Sequence, residues 1–268
     1  MMPNDLRTLF DGLGRRLRLT GPDPVVLDED QWAALQSRVP FLAALSPEDV
    51  AVLRERIGEF LAAKHFVAIG VDLQLWQRHV IAAYASLPVL HLGTRAYREW
   101  KTVIVYPDTF APEQEWVDDA GVHHRAVVPQ AGEAWERGPV VLSWNDIATD
   151  GAVIVHEMTH TLDAANGDVN GFPPLPARMP AKAWTDTFSA AFERLNDGIE
   201  RGEDPLIDPY AATDPAEFLA VASEYFFFSP GYLREVFPGV YAQLADYFGQ
   251  QPHLRAPEIE TDLPEGPS

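Results

Sequence analysis

The sequence predicts an α+β fold, with helical N- and C-terminal parts and a small mixed sheet over a helix that carries His-Glu-x-x-His. Three observations predict it. Apolar residues recur at helical spacing on both sides of the chain's middle. Two short β-branched runs bounded by Pro or Gly stand between them. The stretch Val153-Ile154-Val155-His156-Glu157-Met158-Thr159-His160-Thr161-Leu162-Asp163 then reads as one buried helix that Gly167 is placed to end.

Taken in order, residues 4–19 space Leu6, Leu9, Phe10, Leu13 and Leu17 as a helix that Gly12 and Gly14 weaken. Pro22 and Pro24 mark a linker, which sets residues 1–25 apart from a single bilobal domain over 26–250. In that division about 26–165 form the N-terminal lobe, with the His-Glu-x-x-His helix, and 166–250 a helical C-terminal lobe. From about 28 to 96 the pattern is helical. Ser46-Pro47-Glu48-Asp49 supplies an N-cap, a Pro at N1 and acidic first-turn residues, and the apolar spacing continues to Phe66. Leu75 to Leu87 is a second apolar helix, stopped near Pro88. His65, His79 and His91 are isolated and read as surface or core histidines.

The character changes near Thr102. Residues 103–106 and 139–144 are the two strands. Residues 111–131 between them are acidic around Gly121 and read as a hairpin or exposed loop. Adjacent side chains in an extended segment point to opposite faces, so His123-His124 is discounted as a ligand pair. Residues 166–174 must be loop. Trp184, Phe188, Phe192 and Leu195 give the next helix its stripe, and further helices are expected at about 215–228 and 231–249. Residues 251–268 are Pro- and acid-rich and read as a disordered tail.

The chemistry centres on His156 and His160. Four residues apart on a helix, they share one face and can offer both imidazoles to a single ion. Glu157 lies about 100° around the axis, away from that ion's front, where it can take a proton from a water at the metal. Two imidazole ligands plus a general base is the zinc-hydrolase arrangement.

Composition narrows the options. The 268 residues hold 20 Lys plus Arg against 40 Asp plus Glu, a formal net charge of −20, which argues against nucleic acid as a direct partner. The absence of cysteine excludes disulfides and thiolate zinc sites, so zinc must be held by His and carboxylate. There is no continuous apolar leader segment and no run long enough for a membrane span, so a cytoplasmic enzyme is expected.

A catalytic zinc has three protein ligands and one open position. Asp163, three residues after His160, suits a hydrogen bond to a ligand imidazole better than ligation. Glu217 and Glu224 are seven apart on an otherwise apolar helical face. Glu217 has an alternative role, since Asp214 and Pro215 before it make it the N3 residue of a capping box. Spacing leaves the two glutamates even.

The residues that resemble a known family run through Leu87-Pro88-Val89-Leu90, Val105-Tyr106-Pro107 and the stretch 132–144. They continue through His156 to Asp163, Asn166-Gly167-Asp168, Ile207-Asp208-Pro209-Tyr210, Asp214-Pro215-Ala216-Glu217 and Ser223-Glu224-Tyr225-Phe226-Phe227. Over about residues 45–250 the chain resembles the zinc peptidases of the Mlc titration factor A family, a zincin-like fold related in site layout to anthrax lethal factor. The resemblance implies one zinc per chain on His156, His160 and Glu217, with Glu157 as base, Tyr210 stabilising the transition state and Glu224 supporting. It implies an aminopeptidase-like peptidase with a role in sugar-uptake regulation. The substrate would be a peptide or small protein. The rival it also implies is a regulatory module that binds a transcriptional repressor, with zinc structural or vestigial. The chain departs from the family in Ser86, where relatives often have Cys, and in a shorter connection from Trp144 to Val153. The strand segment Val140, Val141 and Leu142 is a candidate edge for pairing an extended peptide substrate.

Overall fold

The computed structural model describes residues 22–107 and 138–255. The helix expected at 4–19, the hairpin at 111–131, His123-His124 and the tail past 255 lie outside the described residues.

Helix α1 (Glu29–Gln36) starts at Asp28, whose carboxylate accepts from Gln31 N at 2.8 Å while the Gln31 side chain accepts from Asp28 N at 3.1 Å. That reciprocal pair is a capping box. Helix α2 (Pro47–Ala63) begins as its sequence indicates, with Ser46 Oγ accepting from Asp49 N at 3.1 Å and Pro47 in the first turn. Immediately after it comes a strand, β1 (His65–Ala68), where the apolar spacing reads as helical through Phe66. This corrects the sequence expectation. The strand exists because His65 to Ala68 pair with Thr102 to Val105, a long-range contact that no local pattern carries.

Strand β2 (Thr102–Tyr106) lies between β1 and β3 (Val140–Ser143), and both pairings are parallel. An antiparallel member, which a mixed sheet requires, is absent among the described residues. Helix α3 (Leu75–Ser86) lies on the connection from β1 to β2. Trp144, expected to end a strand, instead opens helix α4 (Trp144–Thr149), because Ser143 Oγ accepts from Asp146 N at 3.2 Å. The connection to the next helix is therefore a short helix in its own right. Asp150 Oδ1 then accepts from Ala152 N at 2.8 Å and opens helix α5 (Ala152–Asp163), which a 3₁₀ turn extends to Asn166 before Gly167 at φ 122°.

Helix α5 carries the His-Glu-x-x-His residues and is held from two sides. Its Ile154, Val155, Met158 and Leu162 are buried, each such side chain contributing about 1.5–3 kcal/mol relative to exposure. It packs against α3 and, most extensively, against helix α7 (Pro215–Phe228). Helix α6 (Ala181–Glu200) buries Trp184, Phe188 and Leu195, with the first two rings stacked at 4.2 Å. The run expected as one helix over 231–249 is two, α8 (Pro230–Val236) and α9 (Pro238–Phe248). Pro238 has no N–H to continue α8 and is pre-set for the first turn of α9. Residues 252–254 form a 3₁₀ turn with Pro252 buried and His253 Nδ1 2.5 Å from the Tyr241 hydroxyl, so packed chain extends beyond residue 251, where the tail was expected to begin. No helix among the described residues is long and apolar enough to cross a membrane.

Gly151 lets α3 and α5 meet. A Cβ there would lie 2.2 Å from the Tyr84 ring, itself wedged against Phe41 and Phe228. Gly151→Ala should lower stability by about 1–3 kcal/mol, read from denaturant unfolding, the usual cost of an overpacked core. An unchanged midpoint would mean the ring moves freely.

Candidate metal centre

The packing of α5 on α7 decides which side chains meet. On α5, His156 and His160 bring their Nε2 atoms to 3.1 Å. From α7, Glu217 Oε2 stands 3.0 Å from His156 Nε2 and 3.3 Å from His160 Nε2. These three residues form the one His/Cys/Asp/Glu group among the described residues whose ligand atoms lie close enough to hold a metal, all within 4.8 Å of one another. Two nitrogens and one carboxylate oxygen converging on a point is the donor set of a tri-liganded zinc site.

Glu217 and Glu224 divide. Two turns on from Glu217, Glu224 Oε1 is 2.5 Å from His156 Nδ1, the nitrogen on the other side of the ring. One imidazole is thus met by two carboxylates, Glu224 fixing its Nδ1 proton and Glu217 standing at Nε2. The capping alternative for Glu217 fails on its second half. Asp214 Oδ1 does cap α7, accepting from Ala216 N at 2.8 Å and Glu217 N at 3.0 Å, but the Glu217 side chain turns to the histidines.

The electrostatics follow the burial. Burial works against a charged His156, yet Glu224, with Glu157 and Glu217, outweighs it and raises the pKa above the ordinary imidazole value. Burial also raises Glu157, with Glu217 adding to the rise and the two histidines opposing it. The Glu157 carboxylate makes no hydrogen bond among the described residues. Burial again raises Glu224, against the pull of His156.

Asp163 is placed differently from the expectation. Its Oδ2 accepts from Asn170 N at 2.8 Å and Gly171 N at 2.6 Å, so it ties down the loop after α5 instead of hydrogen-bonding an imidazole. His160 Nδ1 and Asp163 Oδ1 are both buried without a hydrogen bond among the described residues. Gly171, at φ 78°, lies so close under α7 that a Cβ would fall 2.5 Å from Pro215 O. Asp163 therefore links the end of the histidine helix to the start of the helix bearing Glu217. The Asn-Gly pair after a helix ending in Asp was the available sequence signal for this loop.

Tyr210 sits in a 3₁₀ turn, Pro209–Ala212, whose cap Asp208 accepts from Tyr210 N at 2.8 Å. Its ring is half exposed, centred 6.1 Å from the His156 ring. Burial first, then Glu217, raise its pKa. Its hydroxyl makes no hydrogen bond to main chain among the described residues, which argues against a purely packing role. Strand β3 is an edge strand among the described residues, with Val140 and Leu142 buried and Val141 outward. The isolated histidines stay away from the centre. His79 is buried in α3, His91 Nε2 lies 3.2 Å from Asp49, and His65 is exposed.

A His-Glu-x-x-His helix met by a glutamate from a later helix defines a metallopeptidase-like protein. The chain belongs to the glucose-regulated metallo-peptidase M90 family, whose model matches residues 15–249. The match begins well before residue 45, where the span of about 45–250 inferred from the motifs begins. The chain is similar to Mlc titration factor A of Klebsiella pneumoniae (strain 342), 40% identical over 229 residues, covering 82% of this chain and 86% of that one. It is 37% identical over 233 residues to the protein of that name from Serratia proteamaculans (strain 568), covering 84% and 88%. Against that of Pectobacterium atrosepticum it is 38% identical over 250 residues, covering 90% and 93%.

Proposed function

We propose that the chain is a zinc-dependent, aminopeptidase-like peptidase of the cytoplasm, with one zinc on His156, His160 and Glu217. The observation that carries the reading is the convergence of both Nε2 atoms with Glu217 Oε2, while Glu224 occupies the remaining nitrogen of His156. Zinc held there supplies Lewis acidity toward a scissile carbonyl oxygen and toward water.

The chain's own residues do the rest. Glu224 accepts the Nδ1 proton of His156, which leaves the Nε2 lone pair directed at the ligand point. Glu157 takes a proton from the attacking water and passes it to the leaving amine nitrogen. Its raised pKa suits a group that must both gain and release that proton. The Tyr210 hydroxyl donates to the oxygen that becomes negative as the carbonyl is attacked. Val141, outward on the edge strand, offers main chain for pairing an extended peptide.

The relatives' name, Mlc titration factor A, supports a second role, binding of an Mlc-type transcriptional repressor in sugar-uptake regulation. An intact general base supports hydrolysis beside it, since a purely structural zinc needs none and is closed by four protein ligands.

The deciding experiment is a peptide-library digest by zinc-loaded wild type beside Glu157→Gln. The variant should keep near-stoichiometric zinc and lose about 10²–10⁴-fold in turnover. Loss of zinc along with activity would contradict a base that is not a ligand. Glu217→Gln should abolish tight zinc binding, whereas Glu224→Gln should weaken it by about 10–100-fold, as measured by competition with a chelating dye. The reverse order would exchange their roles. Tyr210→Phe should leave zinc content and KM close to wild type while kcat falls about 10²–10³-fold. Turnover within about threefold of wild type removes Tyr210 from the reaction.

A further inference from the structure

A cavity of about 340 Å³ lies where the end of α2, β1 and the first turns of α3 meet. Four of its eight lining residues, Lys64, His65, Arg78 and His79, are basic and none is acidic. In a chain where acids outnumber Lys plus Arg by 40 to 20, that local bias is against the grain.

Most of this basic character is already committed. Lys64 Nζ donates to the carbonyls of Tyr97 and Trp100, each at 2.5 Å, and lies 3.5 Å from the centre of the Trp100 ring. Burial holds His79 below the ordinary imidazole pKa against the pull of Asp28. Arg78 differs. Its guanidinium lies over the Phe66 ring at 5.7 Å, and its Nε is buried with no hydrogen-bond partner. Among the described residues no carboxylate or carbonyl engages it. A buried guanidinium N–H without an acceptor is costly, and a ligand acceptor relieves it.

We propose that this cavity binds a small carboxylate with an apolar body, the carboxylate on the Arg78 fork and the body against Leu61, Phe66 and Leu75. One uncommitted permanent charge matches one monoanion, and the planar fork matches a carboxylate's two oxygens. A phosphate dianion would leave a second charge unbalanced beside apolar walls.

Calorimetric titration of phenylacetate into the zinc-loaded chain tests this, with uncharged phenylacetamide as control. One phenylacetate should bind per chain, and phenylacetamide far more weakly. Arg78→Met, which keeps an apolar stem over Phe66, should weaken phenylacetate by about 10–100-fold. Leu75→Trp, at a residue 57% exposed, should fill the cavity and also abolish binding with Arg78 intact. Glu217→Gln should bind phenylacetate as wild type does. No binding to wild type, equal binding by Arg78→Met, or binding lost only in Glu217→Gln would overturn the proposal, the last by moving the carboxylate to the metal centre.

Discussion

The structure depends on one constraint, that α5 and α7 pack closely while each carries ionisable groups into the seam. Two histidines and two glutamates, each only partly exposed beside the buried Ile154, Val155, Phe218 and Val221, are held there by satisfying one another. The seven-residue spacing of Glu217 and Glu224 solves this geometrically. Two turns of α7 carry the carboxylates to opposite nitrogens of the same imidazole, at 3.0 and 2.5 Å. Everything that positions α7 acts on that ring. Pro215 and the Asp214 cap fix where the helix begins, and Gly171 lets the preceding loop pass beneath it.

That arrangement also accounts for the role of Asp163. Hydrogen-bonding to His160 would have been a local, intrahelical solution. By holding the amides of Asn170 and Gly171 it sets the path of the loop beneath α7. The histidine helix and the carboxylate helix are thereby coupled by main chain as well as by apolar packing. Asp163 thus acts on the start of α7 through Gly171 and Pro215 while its charge also acts on His160.

What could be read from the sequence sorts by range. The α2 cap at Ser46, the start of α7 at Asp214-Pro215 and the stripe of α6 are local signals, and each stands where the residues place it. Strand β1 was not legible, because four residues after an amphipathic helix become a strand only through pairing with β2. The break at Pro238 was legible in principle, since Pro opens a helix as readily as it ends one. At the centre, His156 and His160 follow from spacing alone. The choice between Glu217 and Glu224 needed the rotation of α7 about its axis, which a seven-residue spacing cannot give. The loop contact of Asp163 was hidden by the more obvious partner three residues away.

The acid groups at the centre carry the argument one step further. Glu157 and Glu224 are both raised by burial, and His156 is raised by the carboxylates around it. The cluster therefore favours positive charge, which protons supply in part. A divalent cation at the converging atoms would meet the same demand with more charge and fixed direction, and its binding must displace protons. Glu157 differs from the other two glutamates in having no hydrogen-bond partner among the described residues. Its carboxylate is the one of the three that no described residue engages by a hydrogen bond, and the desolvation that disfavours its charge favours its taking up a proton.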